Sequence, residues 1–256
     1  AKAGTWDEST VAEEAQVIAE ANEKKERIHL GQLLGIASIK YHELDEIFWK
    51  YKGRWCFQRP RTRDEQGGYA IFQDLASRPT TMIATNVTVA YGCLPGNKTT
   101  VGDAIRAYIQ SLLKCKHRTF VRIPRELWPA DWHKRGYKNP VCLLVRALYG
   151  HPEAGAHWER HLTEILKEIA GQRVQAHPST FWMPKLKLLL TIYVDDIMLS
   201  GPEANHTPFW KELAKKVDVE DPEPLERFLG RYHIRSRCDV PTTNNFEFFR
   251  PEEKPK

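Results

Sequence analysis

Apolar residues recur along this chain with two different periods. Thr10 and Glu13 have capping-box spacing, and Val11, Ala15 and Ile18 follow at i, i+4 and i+7, which predicts an amphipathic helix over 11–26. Leu34, Ile36, Ile39, Leu44, Ile47 and Phe48 predict a second helix over 35–50, and a third is expected over 79–90, ahead of a turn at Pro95-Gly96. From Thr100 onward strands and helices alternate. A strand over 100–103 runs into a helix over 104–113, a strand over 119–123 stops at Pro124, and a short buried strand covers 141–145. Trp158, Leu162, Ile165, Leu166 and Ile169 lie on one stripe of a helix over 157–170, with Gly171 past its end. Two apolar runs, 186–194 and 197–199, flank Asp195-Asp196 and predict a hairpin with carboxylates at its tip. Thr207-Pro208 is expected to open a last helix through Val217, with a strand pair over 225–237.

Composition narrows the class. Of 256 residues, 41% are hydrophobic and 28% charged, a globular balance that excludes a collagen-like or wholly disordered chain. The longest apolar run, Leu188 to Val194, falls far short of the roughly 20 residues that cross a bilayer, so no membrane-spanning helix is expected. The acidic start, with Asp7, Glu8, Glu13 and Glu14, does not read as a secretory signal, and the lack of an initiator Met points to an excised fragment. Cys56, Cys93, Cys115, Cys142 and Cys238 are scattered, with no CxxC and no Cys/His pair at zinc spacing; they predict reduced thiols in an intracellular protein. The glycosylation-type triplets at Asn86, Asn97 and Asn205 are then accidental.

Two adjacent carboxylates at the end of a buried strand repel each other and lose water, so a cation is expected at Asp195-Asp196. An ordinary exposed acidic turn is the plain alternative, but Tyr193-Val194 before and Ile197-Met198-Leu199 after are too apolar for one. Asp103 stands at another strand-to-helix junction. Paired strands carrying Asp103 and Asp195 could hold two divalent ions about 3.5–4 Å apart, the arrangement of two-metal phosphoryl transfer. Oxygen-only ligands select magnesium over zinc.

These residues also resemble a known family. Tyr193-Val194-Asp195-Asp196 resembles the YVDD box of reverse transcriptases, and Ala147-Leu148-Tyr149-Gly150-His151-Pro152 with Trp158 resembles the ALYG…W block of copia-type LTR retrotransposon polymerases. Asp103-Ala104-Ile105-Arg106-Ala107-Tyr108 is similar to the first catalytic motif, D-x-x-x-A-[FY]; Phe228-Leu229-Gly230 to the primer-grip FLG; and Lys52-Gly53-Arg54 to the KxR of the fingers. The likeness covers about residues 50–235. It implies an α/β right-hand polymerase with palm and fingers, its antiparallel palm sheet flanked by helices. It further implies three parts: an N-terminal helical extension (1–49), the fingers and palm with the primer-grip hairpin (50–237), and a loose tail (238–256).

The activity so implied is RNA- and DNA-templated DNA synthesis, by nucleotidyl transfer from dNTPs to a primer 3′-hydroxyl. Asp103 and Asp195 would ligate two Mg²⁺ ions, with Mn²⁺ able to replace them, and Asp196 would be an auxiliary acid. Lys52 or Arg54 would hold the triphosphate beside Ala104. Tyr108 would close on the sugar 2′ position, and Gly150 would let the backbone approach the template–nucleotide pair. The implied partners are an RNA template, a DNA primer-template and dNTPs, in a cytoplasmic retrotransposon particle or the nucleus. The RNase H and integrase regions of the polyprotein lie outside this chain.

Two stretches depart from the family pattern. ALYG usually continues through a polar run ending in Pro-Arg, whereas this chain reads His151-Pro152-Glu153-Ala154-Gly155-Ala156-His157, and Arg106 brings a cation into the first motif. Only Lys215 and Lys216 stand near as candidates for the acid that protonates pyrophosphate. Net charge is a modest +5, but it clusters over 50–63, with Trp49, Tyr51, Trp55 and Phe57 interleaved, and over 114–138, with Trp128, Trp132 and Tyr137. Both stretches are candidates for nucleic-acid binding. A catalytically decayed remnant that only binds nucleic acid fits the same residues. An aspartic hydrolase does not, because neither Asp103 nor Asp195 sits in an Asp-[ST]-Gly motif.

Overall fold

The apolar runs on either side of Asp195-Asp196 build the middle of the larger of two main sheets. The computed structural model describes residues 4–73, 77–234 and 236. In chain order the elements are β1 (Trp6–Glu13), α1 (Glu14–Glu23), β2 (Ile28–Lys40), β3 (Lys50–Phe57), α2 (Met82–Gly92), β4 (Asn97–Asp103), α3 (Ala107–Gln110) and β5 (Arg118–Arg122). They continue with α4 (Ala130–Lys134), β6 (Pro140–Leu144), α5 (Ala154–Glu168), β7 (Gln172–Arg173), β8 (Thr180–Met183), β9 (Leu188–Tyr193), β10 (Asp196–Pro202), α6 (Glu203–Ala214) and β11 (Glu223–Pro224). A first unit runs to Pro224 and a second begins at Leu225. The fold is mixed α/β.

The six-stranded sheet has the order β11-β4-β10-β9-β8-β7. Ile197, Met198 and Leu199 are all buried, so both faces of β10 are covered, which is why its sequence is a continuous apolar run rather than an alternating one. On one face Leu188, Leu190, Ile192, Ile197 and Leu199 share a core with Trp158, Leu162 and Leu166 of α5 and Phe209, Trp210 and Leu213 of α6. α2 lies against β4, β9 and β10, turning Ala84, Thr85, Thr88 and Gly92 inward.

The five-stranded sheet has the order β1-β6-β5-β2-β3, antiparallel except for the parallel β2–β5 pair. Trp6, Leu33, Phe57, Val121, Trp132 and Leu144 pack together in one core, and Ile28, Leu30, Phe120 and Val141 join Val17 and Ala21 of α1 in another. The second unit, described by itself, holds a two-stranded hairpin of β12 (Arg227–Phe228) and β13 (Arg231–Tyr232). Its turn is Leu229-Gly230, both at positive φ, the geometry of a two-residue hairpin loop.

Several elements differ from the sequence expectation. The helix expected over 35–50 is strand and loop: β2 pairs with β3 from Leu33↔Phe57 to Lys40↔Lys50. Leu34 and Ile36 are 45% and 46% exposed, so these apolar residues line an exposed hairpin and no helical stripe faces a core. Thr10 does not cap a helix. Its hydroxyl accepts the Leu143 N–H across the sheet at 2.9 Å, and the helix begins instead after Glu13, whose N–H donates to the Gln16 side chain. The segment 1–49, expected as a helical extension, thus carries one α-helix and places β1 and β2 in the five-stranded sheet.

The helix expected over 104–113 shortens to α3. Arg106 adopts φ 54°, Ser111 is extended, and the Gln110 amide donates to the Ile105 and Asp218 carbonyls. α6 starts after Pro202, not at Thr207-Pro208, and takes Pro208 into its interior. The tail expected to be loose, 238–256, lies outside the described residues.

Candidate functional site

The β9–β10 hairpin closes in two residues, Val194 and Asp195, with Tyr193 facing Asp196 across the pair. Val194 sits at φ 59°, a conformation that costs a β-branched residue on the order of 1–3 kcal/mol and persists only where its surroundings impose it. The buried Trp158 of α5 imposes it here, donating its Nε1–H to the Val194 carbonyl at 2.6 Å. On the other side β4 pairs with β10 so that Asp103 directly opposes Asp196. The Ala104 N–H donates to the Asp195 carbonyl at 2.8 Å, so the tip of the hairpin is tied to the residue that follows Asp103.

Three half-buried carboxylates therefore meet at one end of the six-stranded sheet. Burial, and then the charges of Asp195, Asp196 and Glu220, push Asp103 up to about 6, against a smaller opposing pull from Lys52. Burial and Asp195 push Asp196 upward too. The Oδ1 atom of Asp103 is buried with no hydrogen-bond partner. A buried, unpartnered carboxylate oxygen among like charges is a place where a hard cation would relieve both desolvation and repulsion. The three aspartates do not bring one oxygen each within 4.8 Å of one another. Magnesium sites that use one or two carboxylates plus substrate phosphates do not need them to.

The remaining expected residues of the first unit gather around this edge. Tyr108 of α3 is half-buried and packs on Tyr149, ring centroids 4.6 Å apart, and the Arg54 guanidinium lies 5.5 Å from the Tyr149 ring. Burial and the Asp195 charge raise both phenols. Lys52 is shifted down by burial, then by Arg54 and Lys40, and its charge acts on Asp103. Gly150 has φ +86°, and a Cβ there would lie 2.3 Å from the Phe57 carbonyl oxygen, while the Phe57 N–H donates to Tyr149 at 2.7 Å. Glycine at 150 is thus required for the loop to lie against β3. Arg106 is exposed, and Phe228, Leu229 and Gly230 belong to the second unit. Tyr149 and Trp158 stand in the ALYG…W block, but their contacts to Arg54 and to Val194 carry no sequence signal of their own.

The basic stretches divide. Tyr51 is 80% exposed, whereas Trp55, Phe57, Trp128, Trp132 and Tyr137 pack in a core. Arg118 and Arg122 are engaged by Glu26 and Glu14.

A family model described as reverse transcriptase (RNA-dependent DNA polymerase) matches residues 107–245, more than half of the chain, taking in Asp195 and Asp196 but not Asp103. The chain belongs to that family. Two similar proteins narrow the kind. Over 113 residues the chain is 26% identical to the retrovirus-related Pol polyprotein from transposon TNT 1-94 of Nicotiana tabacum, covering 43% of this chain and 8% of the relative. Over 106 residues it is 31% identical to the retrovirus-related Pol polyprotein from transposon RE1 of Arabidopsis thaliana, covering 40% of this chain and 7% of the relative. It is a reverse transcriptase domain of the copia retrotransposon type, and its match spans less than a tenth of either polyprotein. Among the described residues no helix is long and apolar enough to cross a membrane.

Proposed function

We propose that this chain synthesises DNA on RNA and DNA templates, transferring nucleotides from dNTPs to a primer 3′-hydroxyl. The six-stranded sheet would serve as palm and the five-stranded sheet, with β3, as fingers. The observation that carries the reading is the buried, unpartnered Oδ1 of Asp103, on a residue opposed to Asp196 and joined to Asp195 through Ala104. Asp103 and Asp195 would hold Mg²⁺, with Asp196 as the auxiliary acid. When bound, the ions would offset the triphosphate charge and make the primer hydroxyl a better nucleophile.

The chain's own groups have separate tasks in this reading. Lys52 or Arg54 would hold the triphosphate at β3, Lys52 being a point charge already sensed by Asp103. Tyr108, backed by Tyr149, fills the space beside the sugar so that a 2′-hydroxyl collides with the ring. Trp158 holds the Val194 turn and thereby aims Asp195. Phe228, Leu229 and Gly230 would grip the primer.

The test is primer extension by Asp195→Asn, which keeps the side chain's size and removes its charge. Extension should fall by about a thousandfold or more, while primer-template affinity stays within several-fold. Equal loss of binding would make Asp195 structural. A wild-type chain that binds primer-template and extends nothing would be the decayed form.

A further inference from the structure

A second cluster of ligand-type side chains lies apart from the aspartates. Cys115, in the loop before β5, meets Glu153 and His157, at the cap and in the first turn of α5, with one ligand atom of each within 4.8 Å of the others. The Cys115 Sγ lies 3.6 Å from His157 Nε2, and Glu153 Oε2 lies 3.6 Å from the same nitrogen. The side chains of His157 and Glu153 are 4% and 6% exposed.

Two alternatives fail on this geometry. In a nucleophilic triad the thiol and the acid address opposite nitrogens of the imidazole, so that one orients what the other deprotonates. Here both address Nε2. A single Nε2–H cannot be donated well to both, and 3.6 Å is long for a nitrogen–oxygen hydrogen bond. Tetrahedral zinc, with bonds of about 2.3 Å to sulfur and about 2.0–2.2 Å to nitrogen and oxygen, sets neighbouring ligands about 3.3–3.6 Å apart. The Sγ–Nε2 and Nε2–Oε2 separations, both 3.6 Å, lie at the upper end of that range.

Two further imidazoles border the trio. His151 accepts the Glu153 N–H on Nδ1 at 3.2 Å, and its Nε2 is buried without a partner; both ring nitrogens of the buried His29 are likewise unpartnered. Unpartnered buried nitrogens are costly unless something binds them. His151, Glu153 and His157 all lie in the stretch where this chain departs from the usual continuation of ALYG.

We propose that Cys115, Glu153 and His157 bind one zinc-class divalent ion. Binding releases the Cys115 thiol proton to solvent. Because the ligands come from the loop before β5 and the start of α5, the ion cross-links the five-stranded sheet to the helix that carries Trp158. Polymerase activity is not needed for this inference.

The test uses the full chain, stripped of metal and titrated with Co²⁺. One equivalent should give intense tetrahedral absorption and a thiolate-to-cobalt charge-transfer band, both bleached by Zn²⁺. Cys115→Ser should lose the charge-transfer band and bind at least about 100-fold more weakly, while Cys93→Ser, at an exposed thiol, keeps it. In the wild-type chain, Zn²⁺ should protect Cys115 from iodoacetamide and leave Cys93 reactive, a readout that survives if Cys115→Ser fails to fold. No charge-transfer band at one equivalent, a band that persists in Cys115→Ser, or alkylation of Cys115 unaffected by Zn²⁺ would each overturn the site.

Discussion

The two clusters of ligand-type side chains in the first unit differ in nearly every physical respect. The aspartates are half-buried, all oxygen, and mutually repulsive, and they sit on a strand end and a hairpin turn held by main-chain hydrogen bonds. Cys115, Glu153 and His157 mix sulfur, oxygen and nitrogen and join the loop before β5 to the start of α5, with the Glu and His nearly enclosed. The first arrangement suits a hard ion exchanged with substrate; the second suits a soft-to-borderline ion that stays. An open, frustrated carboxylate site costs stability and keeps ligand positions free, whereas a closed mixed-donor site adds stability and leaves nothing to exchange.

The sharpest way to break that contrast is Asp103→Asn. Primer extension should drop by about a thousandfold or more, yet the folded state should gain stability. Asp103 is raised from 3.8 to about 6 in the fold, so between those values the folded chain keeps a proton that the unfolded chain has lost. Stability therefore falls as pH rises through this window and stays lower above it. At pH 7.5 without divalent ions, Asp103→Asn should stabilise by about 1–3 kcal/mol in denaturant titration. Lost activity together with lost stability would show that the carboxylate is satisfied by the protein itself.

Trp158→Phe comes next. It retains most of the ring and deletes the donor to Val194, so extension should fall roughly 10- to 100-fold through misplacement of Asp195, with about 1–2 kcal/mol lost in stability. An unchanged rate would mean that the turn needs no such support. Gly150→Ala should cost about 2 kcal/mol or more, since the residue must keep φ +86° and meet the Phe57 carbonyl; a neutral melting temperature would refute the close approach to β3.

The smallest effect concerns selectivity. Tyr108→Val should admit ribonucleotides, each tenfold of lost discrimination being about 1.4 kcal/mol, and Tyr108→Phe should change little. Because Tyr108 also packs on the core, the melting temperature is measured alongside. An unchanged ratio with a large fall in melting temperature would leave Tyr108 as a packing residue.

The carboxylate edge was legible in the sequence because its signal is local: apolar runs on both sides of Asp195-Asp196 fix the hairpin. Asp103 was legible as a carboxylate at a strand-to-helix junction, but its placement opposite Asp196 was not, since nothing local pairs β4 with β10. The β2–β3 hairpin carries a misleading helical pattern because Leu34, Ile36 and Ile47 are apolar yet exposed, so hydrophobicity there does not report a buried face. Thr10 has cap spacing but spends its hydroxyl on a neighbouring strand. The Cys115 cluster was invisible, because Cys115 and His157 are separated by 42 residues and no short spacing marks them.

Asp103 has a buried oxygen left for a cation to complete, and its titration distinguishes such a carboxylate from one the protein satisfies. Selectively labelled aspartate, followed by carboxyl carbon shift, should show Asp103 titrating at about 6 without divalent ions. Its midpoint should move down on adding Mg²⁺, and also in Asp195→Asn, where one repelling charge is gone. A midpoint near the ordinary aspartate value of about 4, unmoved by Mg²⁺ and by Asp195→Asn, would contradict the account.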